Sequence, residues 1–111
     1  MTPSIGRIVH YMLTAEDAEQ INRRRTTGKE IAERIAVDKW PLGAQAHIGN
    51  TVSAGDVFPM VIVRVWPSET GSVNGQVLLD SNDTYWATSR SQVVADSTDK
   101  QGLWFEPPRV T

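Results

Sequence analysis

The chain has 111 residues, with no cysteine, two histidines and four tryptophans. That length fits one domain, and the missing cysteine excludes disulfide scaffolds, thiolate catalysis, zinc ribbons and iron–sulfur sites. Eleven basic side chains stand against thirteen acidic ones, a formal charge of −2, so no global basic field exists to hold extended nucleic acid by neutralising its phosphates.

In chain order, Ser4 to Leu13 reads as a strand, rich in β-branched and bulky residues. Beyond Ile8 both of its faces carry apolar groups, as in a strand covered on two sides. Helical chemistry follows. Thr14 with Asp17 three residues on forms a capping box, and Thr27 with Glu30 forms a second. Apolar residues at 3–4 spacing then predict two short helices, about 15–25 and 28–37. Pro41 restricts Trp40 to extended geometry and ends the helical part. Val57 to Trp66 alternates, with Val61, Val63 and Val65 as the wholly apolar set expected to face the core. Ser72 to Asp80 is the next strand, with Val73, Val77 and Leu79 on one side and Asn74, Gln76 and Leu78 on the other. Asn74-Gly75 is a hairpin signal, but it lies inside that alternating run. Thr84 to Ser91 carries Tyr85 and Trp86, and Leu103 to Phe105 is a final short strand. The fold class predicted is mostly β (α+β): a small antiparallel β-barrel or sandwich, SH3-like in size, forming a single domain over 1–111. A helical and loop insertion, 14–53, lies between its first two strands.

No catalytic constellation emerges. The chain lacks a nucleophile elbow, a metalloprotease helix and a phosphate loop. His10 sits in the first strand and His47 in a loop, each more typical of a packed residue than of a catalyst. Asp80, Asn82 and Asp83 open like a calcium loop, but position six is Tyr85 and position twelve Ser91, where glycine and a carboxylate are required. The expectation is a non-enzyme without metal or cofactor. Arg23, Arg24 and Arg25 form the densest positive cluster. They suit a phosphate or an anionic partner, or else the solvated C-terminal end of a helix.

The tryptophans are the unusual feature. Trp66, Trp86 and Trp104 fall in or beside strands, and strand aromatics serve either as core or as stacking platforms for bases. Arg64, Trp66, Asn74 and Gln76 are expected to share one polar-aromatic face. With Trp86 and His10 they make a candidate ligand-binding set, with the inventory a nucleotide requires. A subunit interface uses the same residue types.

Four segments carry a resemblance: Ile5-Gly6-Arg7-Ile8-Val9-His10-Tyr11, Gln45-Ala46-His47-Ile48-Gly49-Asn50, Val63-Arg64-Val65-Trp66, and Val73 to Asp80 continuing through Trp86. Together with the ending Trp104-Phe105-Glu106-Pro107-Pro108-Arg109, they resemble a family of small tailed-phage and prophage proteins of the actinobacteriophage type. That family offers no catalytic residues to transfer. The resemblance implies a phage origin; taken with Trp66, Trp86, Arg64, Asn74 and Gln76 it leads to the expectation of a phage accessory binding protein, one version being sequestration of a nucleotide immune signal of the host. The alternatives are a virion component (head decoration or connector) and an inhibitor docking onto a host enzyme through the helical insertion. A small nucleotide or a host protein is the expected partner, with self-association into a homo-oligomer. The longest uninterrupted apolar run, Met60 to Val63, falls far short of the ~20 residues of a membrane span. With no signal-peptide h-region at the N-terminus, the expected location is the host cytoplasm, or the virion for a structural component.

Overall fold

The computed structural model describes residues 2–25, 48–94 and 97–108. They form strands β1 (Ile8–Met12), β2 (Val57–Val65), β3 (Val73–Leu78), β4 (Thr84–Arg90) and β5 (Trp104–Phe105), with one helix, α1 (Ala15–Arg23), between β1 and β2. The expected second helix at 28–37, the Trp40-Pro41 stop and His47 lie outside the described residues. The strands make one antiparallel sheet in the order β4-β3-β2-β1-β5.

The sheet does not close into the expected barrel. Strand β5 is two residues long, too short to carry a second ladder. The tail of β4 reaches its outer edge through a single parallel bridge, Gln92 to Trp104. Two bonds make that contact: Trp104 N donates to Ser91 O at 3.0 Å and Val93 N donates to Trp104 O at 2.8 Å.

One face of the sheet is packed. Val9 and Tyr11 of β1, Met60 and Ile62 of β2, Val73 and Val77 of β3, Tyr85 and Ala87 of β4, and Trp104 of β5 are buried there together with Leu13, Val52 and the α1 residues Ala18 and Ile21. Helix α1 is therefore part of the core and not an appendage to it. Its N-terminus is the predicted capping box: Asp17 N donates to Thr14 Oγ1 and Thr14 N donates to Asp17 Oδ2, both at 3.0 Å. Each bond satisfies an N–H that the first helical turn leaves without an internal partner.

The phase of β2 is opposite to the one its valines suggest. Met60 and Ile62 point to the core, Val61 is half-buried on the other face and Val63 is 44% exposed. The register then shifts: Ile62 pairs with Gly75 and Arg64 with Asn74, so Val63 and Arg64 together oppose Asn74. This β-bulge adds one residue and returns Val65, which pairs with Val73, to the core side. Strand β4 shifts at the same level. Gly75 pairs with Ala87 but Val73 with Arg90, and Ser89 takes a left-handed φ of 53°. Asn74 thus sits between two bulges. Gly75 next to it is demanded by packing, because a Cβ there would lie 2.5 Å from Met60 Cγ and 2.9 Å from Val61 O. The Asn-Gly pair belongs to mid-strand and not to a turn.

Candidate functional site: the open face of the sheet

The second face of the sheet, opposite the core, brings together most of the residues singled out by sequence. On β3, Asn74 and Gln76 point outward, with Arg64 of β2 beside Asn74 and Trp86 of β4 beside Gln76. His10 of β1 is also outward, paired with Pro59 and Phe105. It lies three strands from Trp86, about 14 Å at ~4.8 Å per strand. His10 therefore belongs to the far side of the same face, where its ring meets Phe105 edge-on at 5.7 Å.

The three β-borne tryptophans divide three ways. Trp104 is fully buried and its Nε1 donates to Gly71 O at 2.8 Å. Trp66 follows β2 and is half-buried; its Nε1 donates to Asn74 Oδ1 at 3.0 Å, and the Arg64 guanidinium lies 4.1 Å from the ring centroid. One ring face of Trp66 is thereby occupied by its own neighbour, a cation–π contact of about 0.5–1 kcal/mol at an exposed site. Trp86 is 45% exposed, with only its cross-strand partner Gln76 beside it in the row.

Asn74 and Gln76 are also engaged. Asn74 Oδ1 accepts from Trp66 Nε1 and from the bulged Ser89 N at 2.8 Å, and Gln76 Oε1 accepts from Thr84 Oγ1 at 3.0 Å. Asn74 consequently ties the β4 bulge to Trp66, just past the end of β2. Asn74→Ala is expected to cost about 1–2 kcal/mol, since it leaves a half-buried indole N–H without its acceptor. Asn74→Asp keeps the acceptor and should hold the urea midpoint near that of the wild type. Equal destabilisation by both would show that the side-chain oxygen does not carry the role.

Two members of the arginine cluster, Arg24 and Arg25, are engaged within the molecule, while Arg23 stays at the surface. Arg23 pairs with Glu19 one turn earlier. Arg24 reaches Asp83 at 3.3 Å and Arg25 reaches it at 2.8 Å, both Arg25 and Asp83 being nearly buried. Burial alone would raise the Asp83 pKa, but the Ser81 hydroxyl and the two guanidiniums outweigh it and hold the carboxyl below the usual range. The solvated helix end expected for Arg24 and Arg25 is instead a clamp on the β3–β4 turn. Ile48 N joins it by donating to Asn82 Oδ1 at 2.9 Å, and Asn50 binds Asp80. The Asp80, Asn82 and Asp83 side chains of the calcium-like sequence thus hold residues 24–25 and 48–50. Among the described residues no group of three or more His, Asp or Glu side chains is placed to hold a metal ion. An open depression of about 480 Å³ lies over this turn, lined by Leu78, Leu79, Ser81, Asn82, Asp83 and Thr84.

What sequence reading missed is the apolar character of the open face. Of eight exposed large hydrophobic side chains among the described residues, Ile8, Val57, Val63, Leu78 and Trp86 lie on it. Antiparallel sheets with one solvated face ordinarily alternate apolar-in with polar-out. The outward positions of β2, however, are Val57, Pro59, Val61 and Val63 before Arg64 is reached. The available signal was Val57 to Val63 itself, which contains no polar residue. Also missed was a buried polar cluster under α1, where Asp17 receives the hydroxyls of Tyr11 and Tyr85 and the guanidinium of Arg90.

Comparison with known proteins returns no family model, no curated protein and no solved structure that matches the chain. None of the described helices is long and apolar enough to cross a membrane.

Proposed function

We propose that this chain is a non-enzymatic accessory binding protein, phage-encoded as the resemblance implies, whose contact surface is the open face of its sheet. The observation that supports it is the concentration of exposed apolar side chains there: Ile8, Val57, Val63, Leu78 and Trp86 on one side of one sheet. Removing such side chains from water contributes about 25 cal/mol per Å² of apolar surface, and the term is independent of partner identity. Arg64 and Asn74, which a small polar ligand would need, are already bonded within the protein. That balance favours a protein surface over a small molecule as the partner.

A second reading, nucleotide sequestration, keeps support from the Trp86–Gln76 pair. A base stacked on the exposed indole gains ~1–3 kcal/mol, the Gln76 amide lies in the same row to read its edge, and Arg64 would turn from Trp66 to a phosphate.

Equilibrium dialysis of the full chain against a panel of cyclic and linear nucleotides separates the two, with the recovered nucleotides analysed for conversion. The expected result is no retention by the folded protein. Retention abolished by Trp86→Ala replaces the protein-surface reading with sequestration. Conversion of any nucleotide overturns the non-enzymatic assignment itself.

A further inference from the structure

We infer that the open face is covered by the same face of a second copy of this chain, giving a two-fold, face-to-face sheet dimer. The inference rests on the reading that this face is the contact surface, and it names the occupant. It starts from β2. Strands covered on both faces read as near-continuous hydrophobic runs, and β2 is such a run from Val57 to Val63, interrupted only by Pro59, with Met60 and Ile62 inward and Val57, Pro59, Val61 and Val63 outward. Helix α1 packs on the inner side only. The sequence of the central strand is that of a strand sandwiched between two layers, and the described residues supply one.

Charge selects the second layer. The outward positions of β1 to β4 hold one permanently charged side chain, Arg64, together with His10. Arg64 stands at the bulged end of β2, stacked on its own Trp66. With Lys100, whose Nζ lies 4.8 Å from the ring of Phe105 on β5, a strongly acidic partner or a nucleic acid would meet only two cations there, and a basic partner no carboxylate. The face suits an occupant that is itself flat, apolar and nearly uncharged, and a second copy presents such a surface. In a two-fold contact the same patch meets itself. Two sheets of equal twist pack face to face about 10 Å apart, with strands about 30° from parallel. Turned about the axis, the two Arg64 side chains fall at the rim, where water still reaches them and no unpaired charge is buried.

Area sets the strength. At ~4.8 Å between strands and ~3.3 Å per residue, the five-stranded face measures roughly 20 by 20 Å, about 400 Å² in projection. Side-chain relief adds to that, against about 800 Å² per partner in a standard interface. The dimer belongs at the small end of the range, so it is reversible and depends on concentration.

The test uses sedimentation equilibrium of the full chain across a concentration series. It is combined with the rate of maleimide labelling at Val63→Cys, a unique thiol because the chain has no cysteine. Wild type is expected to pass from monomer to dimer as concentration rises, and Val63→Cys labelling to slow several-fold over the same range. Val61→Lys and Trp86→Lys should each hold the protein monomeric while keeping its far-ultraviolet circular dichroism. A dimer indifferent to both lysines uses another surface and overturns the inference. A monomer with fast labelling at every concentration also overturns it but leaves the face available to a different protein, so the proposed function survives. A monomer with slow labelling means the chain covers the face itself, and then both readings fall.

Discussion

Asp17→Ala is expected to cost about 3–4 kcal/mol of folding stability, read as a lowered urea midpoint. That is a large share of the ~5–15 kcal/mol typical of a domain. The carboxylate is 1% exposed and takes four donors: Tyr11 OH at 2.5 Å and Thr14 N at 3.0 Å on Oδ2, Tyr85 OH at 2.8 Å and Arg90 Nη2 at 3.1 Å on Oδ1. Truncation leaves the Arg90 guanidinium facing a buried site without its counter-charge, a loss of ~3–5 kcal/mol when fully buried. Arg90 is 28% exposed, which lowers that figure, and loss of the capping box adds about 1 kcal/mol. The same group sets the pH limits. Burial would raise the Asp17 pKa, but the Thr14 N–H, the two tyrosine hydroxyls and Arg90 outweigh it and hold it below the ordinary carboxylate value. A depressed pKa contributes stability that is present above the unfolded value, near 4, and lost as pH falls through the folded one. Burial and the neighbouring carboxylate push Tyr85 up to about 12 and Tyr11 higher still. Raised pKa values contribute stability that is complete below the unfolded value of ~10 and lost as pH rises through the folded ones. Stability should therefore be level between about pH 5 and 9 and fall on both sides. Asp17→Asn should remove its own share of the acid limb and leave the share carried by Asp83, whose pKa is also depressed. An unchanged acid limb in that variant would show that another carboxylate carries the dependence.

Local signals in the chain located the elements but not their partners. The Thr14–Asp17 spacing predicts the capping box, which forms with both of its bonds. The alternation of Ser72 to Asp80 predicts β3 with its inner and outer residues, and demotes Asn74-Gly75 as a turn, as observed. The phase of β2 was illegible because both of its faces are apolar, so alternation carries no sign. The bulge at Val63-Arg64 also has no glycine or proline to mark it. The Asp17 cluster joins positions 68 and 73 residues apart, a separation at which local pattern is silent. Arg23, Arg24 and Arg25 read as one charge cluster, yet the fold gives them different tasks. Arg23 pairs with Glu19, while Arg24 and Arg25 share Asp83, which lies on a turn whose sequence suggested calcium. The candidate ligand set came out sharing one face because cross-strand neighbours follow from register alone. What each residue does there depends on contacts the register does not specify, such as the Arg64 stack on Trp66.

Trp104→Ala should be as damaging as the loss of Asp17, at about 3–5 kcal/mol, whereas Trp86→Ala, which gives up a ring still 45% exposed, should cost the monomer clearly less, about 1–2 kcal/mol. Identical chemistry gives unequal outcomes because position decides. Trp104 is one of only two residues in β5, and its buried indole fills the core beside Tyr11 while Nε1 holds Gly71 O. Among the described residues, its main chain carries the one bridge from the tail of β4 to the sheet edge. Emptying that site removes packing from the core and support from residues 91–93 and from the Gly71 turn, so hydrogen exchange at Val93 should rise together with global unfolding. Trp104→Phe keeps most of the volume and loses only the Nε1 bond, so its cost should be nearer 1–2 kcal/mol. Trp86 keeps 45% of its surface in water, so a large part of its ring is left for whatever covers the open face, and it matters less than Trp104 to the fold beneath it. Were Trp86→Ala to lower the urea midpoint of the monomer as far as Trp104→Ala does, the indole would be structural, and the open face would lose its claim to be a binding surface. Fluorescence reports the contrast directly: the blue-shifted, iodide-resistant component should vanish with Trp104 and persist without Trp86.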